Sequence, residues 1–321
     1  MTTAMRRNLF CDRLTMTLDI SSSDHSEVVT ALNDMASNGE IYRQENRYSD
    51  LLKAYQLAYK IPFGDEAFCT IQVQPRGVTS RFMRLDWNPM HARRGCRRPM
   101  HHIIEILQRC IPSYSYELID RAHITRLDLS FDVYRTHIDG LLVFGTLRKL
   151  YCSRYSAPHA EYDRGGRLNS MGFGRSDGAQ YLLIYDKALE AEIRQFERIT
   201  GGKPQKPSSS LNPIRDVTRF ELRLRKIGTM TNLHDMKNPF ADYTVAKFAD
   251  VKSRLGDHQW QWLVDSCKTR GAQAALSLIQ NQRERTRIAS LLKEEAPPPW
   301  WNPVDIWNER FFAVRVALDL V

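Results

Sequence analysis

Asp128, Asp132, Glu221 and Tyr185 are the residues whose types and spacing could do chemistry, and each stands in a short run that alternates apolar with polar. In Arg126-Leu-Asp-Leu-Ser-Phe-Asp-Val133, the residues Leu127, Leu129, Phe131 and Val133 take one face of a strand, and Arg126, Asp128, Ser130 and Asp132 take the other. Further along, Phe220, Leu222 and Leu224 alternate in the same way with Arg219, Glu221, Arg223 and Arg225. Carboxylates on such a face can bind a hard divalent cation, Mg²⁺ or Mn²⁺; an ordinary solvated face is the alternative for either strand alone. The run Tyr181-Leu-Leu-Ile-Tyr-Asp-Lys-Ala-Leu-Glu190 puts Leu182 and Ile184 on one side and Tyr181, Leu183, Tyr185 and Lys187 on the other. A phenol with a pKa of about 10 is a weak nucleophile at neutral pH, so its attack on phosphorus needs positive charge close by. Lys187, Arg219 and Arg223 could supply it.

The elements that must position these groups follow from the same patterns. Arg13-Leu-Thr-Met-Thr-Leu-Asp-Ile20 alternates strictly and aligns without a gap on residues 126–133, sharing the arginine, the first leucine and the second acid. A Ser-Ser-Ser-Asp cap at 21–24 introduces a helix to about Ser37, and three extended segments follow: Ala54 to Ile61, Ala67 to Val73 and Ser80 to Trp87. A second helix is expected from about Pro99 to Cys110. After the strand at 126–133 we expect a helix from about Ile138 to Tyr151, then extended segments at Met171 to Phe173, Gln180 to Lys187 and Val217 to Lys226. Strand, helix, strands thus occurs twice. The expectation is an α+β fold, with two related halves forming one largely antiparallel sheet and helices on one face. Chance similarity of two amphipathic strands is the competing explanation over so short a match.

Residues 199–213 are rich in Gly, Pro and Ser and read as a surface loop. From about Tyr243 to Glu295 the periodicity is helical, and Pro297-Pro-Pro-Trp-Trp-Asn-Pro303 separates that stretch from a final short helix. The expected organisation is an amino-terminal α+β half with a basic region (1–120), a second α+β half carrying the chemistry (121–238) and a helical carboxy-terminal domain (239–321).

The chain has 321 residues, 42% of them hydrophobic, and a formal charge of +9, which favours a polyanionic partner over a merely soluble basic protein. No apolar run is long enough for a membrane span and the first residues lack a signal core, so a cytoplasmic location is expected. Six cysteines without a C-x-x-C pair argue against a zinc ribbon or a disulfide scaffold. No P-loop occurs; Gly201-Gly-Lys203 is a fragment of one.

Thr125-Arg-Leu-Asp-Leu-Ser-Phe-Asp132, Tyr181 to Glu190 and Thr218-Arg-Phe-Glu-Leu-Arg223, in that order and with that spacing, resemble the replication initiation factor family, the rolling-circle initiators of small plasmids and filamentous phages. The resemblance covers about residues 120–230, is weaker over 10–110 and is absent from the helical tail. It implies an origin-specific nickase with a covalent phosphotyrosine intermediate and a free 3′-hydroxyl primer. It puts the nucleophile at Tyr185 and the divalent-metal ligands at Asp128, Asp132 and Glu221, and it implies origin DNA, single-stranded or hairpin, as substrate, with a host helicase and polymerase as partners; a homodimer is also compatible with it. Asp128 and Asp132 are separated by roughly 13 Å of strand backbone, too far for both to ligate one ion. One would be a ligand and the other would pair with an arginine; Asp128 is favoured as ligand because the first repeat keeps the second acid as Asp19 but has Thr15 in place of Asp128. A non-catalytic DNA-binding regulator on the same scaffold is the second reading, and a strand-transfer enzyme using another tyrosine, Tyr181 first, is the third.

Other groups carry less. Arg81, Arg84, Arg93, Arg94, Arg97 and Arg98 concentrate charge among Phe82 and Trp87 and could track a DNA backbone, as could Arg219 and Arg223; a solvated basic loop explains them equally. The helix around Arg283 to Lys293 is a further candidate of the same kind. His91, His101 and His102 lack metal-ligand spacing. His123-Ile-Thr-Arg126 spells the tyrosine-recombinase H-x-x-R but leads into a strand, so coincidence is the better explanation.

Overall fold

The computed structural model describes residues 5–44, 52–65, 67–77, 81–114, 117–145, 159–162, 168–191, 216–252, 255–270, 272–294 and 297–320. Its strands are β1 (Met5–Arg6), β2 (Phe10–Leu18), β3 (Tyr42–Arg43), β4 (Tyr55–Pro62), β5 (Phe68–Pro75), β6 (Met83–Trp87), β7 (His123–Tyr134), β8 (Leu141–Gly145), β9 (His159–Tyr162), β10 (Leu168–Phe173), β11 (Gln180–Asp186), β12 (Val217–Gly228) and β13 (Tyr243–Lys247). The chain divides into two compact units, each assembled from separate stretches of sequence. The first is Phe10–Leu129, Leu224–Lys237 and Arg310–Val321; the second is Met1–Leu9, Ser130–Arg223 and Asn238–Glu309. β7 and β12 each contribute residues to both.

In the first unit, hydrogen-bonded neighbours run β3-β4-β5-β6-β2-β7. β2 pairs antiparallel with β6 in the register Thr15↔Asp86 and Thr17↔Arg84, and β4, β5 and β6 form an antiparallel meander with Lys60↔Thr70 and Thr70↔Asp86. Leu14, Met16, Leu18, Ile71 and Leu85 point into the core, as their alternation requires. Helices α1 (His25–Ser37) and α3 (Pro99–Cys110) begin and end where the sequence places them; α2 (Pro89–Gly95) was not foreseen. Each of the last two has proline at its first position, where no N–H is needed. Asn88 caps α2 by accepting from the His91 N–H. α3 is capped from far along the chain: Asp319 accepts the backbone N–H groups of Met100 and His101 at 2.7 and 3.2 Å, and its other oxygen takes Arg93 at 2.8 Å.

In the second unit the order is β7-β12-β11-β10-β9, with β1 on β7. Set against β2-β6-β5-β4-β3, this is the same arrangement repeated: a first strand, then four strands that return so the last pairs with the first. The duplication expected from eight aligned residues is therefore present in the topology of two sets of five strands. Phe131 and Phe220 stack at 4.9 Å with ring planes 5° apart, and Phe240, Trp300 and Trp301 close around them.

Two expectations are corrected. Residues 138–145 are not helical as expected: Ile138–Gly140 is a single 3-10 turn and Leu141–Gly145 is β8, and the rest of the stretch to Tyr151 lies outside the described residues. β8 pairs with β13, Val143 opposite Val245, so the stretch expected to be helical from Tyr243 also opens as a strand. The apolar run Leu141-Leu-Val-Phe144 fits either element; a partner about a hundred residues away decides it. Helices at 248–252, 257–270, 272–277 and 282–294 do follow, and Leu142, Ala246, Leu263, Ala275, Ile288 and Leu292 share a core between them and this two-stranded ribbon. The carboxy-terminal helix is two, Pro303–Asn308 and Arg310–Ala317. The loop at 199–213 lies outside the described residues.

Candidate active site

The polar face of β7 is not solvated. Asp128 is 3% exposed, Ser130 is fully buried and Asp132 is 4% exposed, and on β12 Arg219 and Glu221 are buried as well. Charges removed from water must be neutralised in place, and here arginines do it. In the second unit, Arg219 grips Asp132 with two parallel hydrogen bonds, Nε to Oδ1 at 2.6 Å and Nη2 to Oδ2 at 2.9 Å. Arg223 donates to Glu221 at 3.1 Å, and its guanidinium lies 5.7 Å from the centre of the Tyr181 ring. In the first unit, Arg126 binds both oxygens of Asp128, Nε to Oδ1 at 2.9 Å and Nη2 to Oδ2 at 2.5 Å. Both aspartates are thus paired with arginines, where the sequence leads one to expect only one to be.

The two tyrosines on the polar face of β11 have different surroundings. Leu182 and Ile184 are fully buried beneath them, which fixes the faces as the alternation requires. Tyr181 is 8% exposed and folds across β10: a Cβ built on Gly172 would stand 2.1 Å from its hydroxyl oxygen, so only glycine leaves room for the ring. Tyr185 is half-buried, opposite Ser170 on the same strand. The Lys187 ammonium lies 5.8 Å from the centre of the Tyr185 ring and forms an ion pair with Glu190. Of the expected site residues, those in the second unit therefore fall into three small groups: Tyr185 with Lys187, Glu221 with Arg223 and Tyr181, and Asp132 with Arg219.

One group was missed. Asp186 ends β11, accepts the Leu189 N–H at 3.0 Å and so caps the helical turn of residues 187–191 that carries Lys187. Its other oxygen meets His137 Nε2 at 3.3 Å. His137 Nδ1 accepts the Asp139 N–H, which leaves the proton of the neutral ring on Nε2, facing the carboxylate. The hydrogen bond with Asp186 raises the His137 pKa against the opposing effect of burial, helped by the charges of Asp186, Asp216 and Asp139. Burial alone would raise Asp186, but the hydrogen bonds from His137 and Leu189 outweigh it and lower its pKa. Nothing in the spacing of His137 and Asp186 announces the pair; it depends on the loop after β7 reaching the end of β11.

Of the basic cluster, Arg81 pairs with Asp19 at 2.7 Å, Arg84 with Asp86 at 3.0 Å and Arg93 with Asp319. Arg94, in the last turn of α2, and Arg97 and Arg98, between α2 and α3, are exposed. Arg219 is buried on Asp132 and holds structure rather than offering its charge outward.

Among the described residues, no group of three or more His, Cys, Asp and Glu side chains is placed to hold a metal ion. Arg126, Arg219 and Arg223 pair with Asp128, Asp132 and Glu221 in turn. No described helix is long and apolar enough to cross a membrane.

No protein-family model matches the chain, and no curated protein matches it. Among solved structures it is similar to a rolling circle replication initiator protein from Geobacillus stearothermophilus, at 14% identity and a TM-score of 0.37, over 83% of this chain and 98% of that one. A likeness that distant carries no argument about function.

Proposed function

We propose that this chain is a replication initiator that nicks one strand of DNA at an origin with Tyr185. The observation that carries the reading is the contrast on β11: Tyr185 is half-buried beside a lysine, while Tyr181 is 8% exposed and packed onto Gly172. In the reaction the Tyr185 oxygen forms a bond to phosphorus as the bond from phosphorus to the 3′ oxygen breaks. The phenolic proton ends on that oxygen, leaving a phosphotyrosine link and a 3′-hydroxyl that primes synthesis. Lys187 favours the phenolate by its charge and holds a non-bridging oxygen. His137 and Asp186 fix the turn from which Lys187 projects. Arg94, Arg97 and Arg98 supply phosphate contacts that position the duplex without reading it.

A requirement for Mg²⁺ or Mn²⁺ would mean that a cation displaces arginines from Asp128 or from Asp132 and Glu221. The test is incubation with a supercoiled plasmid carrying the gene and its flanks, with Mg²⁺, Mn²⁺ or chelator. Wild type gives open circles with covalently attached protein, and Tyr185→Phe loses the adduct by at least about a thousandfold. An undiminished adduct in Tyr185→Phe removes the nucleophile assignment, and the DNA-linked peptide then shows whether Tyr181 takes its place. DNA binding with no adduct under any of the three conditions favours the non-catalytic regulator.

A further inference from the structure

The first unit has its own cleft on the strands that correspond to those carrying the candidate active site. It measures about 420 Å³ and lies over β2, β4, β5 and β6 beside α2, lined by Arg13, Lys60, Phe68, Thr70, Asp86 and Trp87 among others. That volume lies within the range of about 300–1,000 Å³ typical of small-ligand sites. The register accounts for its walls. Lys60, Thr70, Asp86 and Thr15 form one row across four strands, and Phe68 and Arg13 stand one step along β5 and β2 on the same face. Phe68 is 44% exposed in a sheet whose other face is closely packed, and the Lys60 ammonium rests 4.5 Å from its ring centre. Arg13 is held flat by two hydrogen bonds to Asp86 and remains 41% exposed. Trp87, next to Asp86 on β6, turns to the opposite, buried face with Leu14 and Cys69.

We infer that this cleft holds one unpaired nucleotide of single-stranded DNA, its base stacked on Phe68 and its phosphate on Lys60 and Arg13. The inference rests on the DNA reading above but not on nicking. Base stacking on an aromatic ring is stronger than an exposed cation–π contact, so a base displaces the lysine from the ring, and its flexible stem carries the ammonium to the phosphate. Asp86 holds Arg13 through both its oxygens and Arg84 through one, keeping both guanidinium groups beside the cleft. On β5, the strand that corresponds to β11, this half carries no phenol; its exposed phenol is Tyr42 of β3, opposite Lys60. The polar positions of β5 are Phe68, Thr70 and Gln72, and Tyr59 of β4 is fully buried on the opposite face, donating to Asn33.

The experiment is fluorescence anisotropy of the full-length protein with labelled dT12 and, separately, a labelled 20-base-pair duplex. Phe68→Leu is expected to weaken dT12 binding about tenfold and Lys60→Gln severalfold, with duplex binding unchanged. Both side chains are at the surface, and a thermal melt checks that each variant stays folded. An oligonucleotide bearing 5-iododeoxyuridine is expected to cross-link to Phe68. If both variants bind dT12 within twofold of wild type, or the cross-link forms outside the cleft, the inference is overturned while the DNA reading stands. If wild type binds neither DNA, both fall together.

Discussion

The two five-strand sets share a topology but treat charge in opposite ways. On β7 and β12 of the second unit, Asp132 and Arg219 are both nearly sealed from water and meet through two parallel hydrogen bonds. On β2 and β6, Asp86 is equally buried, but the arginines that reach it, Arg13 and Arg84, keep 41% and 30% of their side chains in solvent. The same sheet can therefore carry a rigid, internally neutralised face or a wet one whose cations remain available to a ligand. The first set also has fewer buried acids: Thr15 stands where β7 has Asp128, and Asp86 on β6 is the carboxylate opposite it.

The largest expected effect tests that difference directly. Asp132→Ala leaves the Arg219 charge buried without its partner and should cost about 3–5 kcal/mol in urea unfolding, whereas Asp86→Ala should cost about 1 kcal/mol or less because its arginines can turn to water. Equal losses would mean that the two faces are not energetically distinct. Next in size, Gly172→Ala drives Tyr181 out of its seat and should cost roughly 1–3 kcal/mol. The same variant should raise nitration of Tyr181 toward that of Tyr185; comparable nitration of both in the wild type would erase the contrast between them.

The smallest effect compares two links to the strand ends. In the first unit Arg81 joins Asp19, and in the second His137 joins Asp186. Only the second contains a histidine. Because the folded His137 pKa is raised, its contribution is fully present below the ordinary histidine value of about 6.5 and is lost as pH rises through the raised one. The lowered Asp186 pKa sets the acid limit: its contribution is present above the ordinary aspartate value and fades as pH falls through the lowered one. Urea midpoints measured against pH should show a loss of about 1 kcal/mol on the alkaline side that His137→Gln abolishes. Arg81→Gln should leave the profile unchanged, and a profile unaltered by His137→Gln would remove the link.

Where sequence and structure agree, the information was local. Pro99 and the apolar spacing fix α3, and strict alternation fixes the faces of β2, β7, β11 and β12. Where they part, a distant partner decides. β8 is a strand because β13 is there to pair with it, and Tyr181 is hidden because Gly172 lies across from it. The sequence leads one to expect a single aspartate of β7 to pair with an arginine, but Arg219 reaches Asp132 from 87 residues away while Arg126 takes Asp128 from two. His137 and Asp186 belong to the same class: each is ordinary in its own segment, and only the fold makes them neighbours.

The Asp319 cap also has a consequence for how the chain is made. A ribosome delivers residues in order, and domains generally close as they emerge. In the first unit the carboxylate that completes α3 and restrains Arg93 belongs to a segment translated after the whole of the second unit. Through most of synthesis that helix start is therefore uncapped, and the contact forms only once Asp319 emerges.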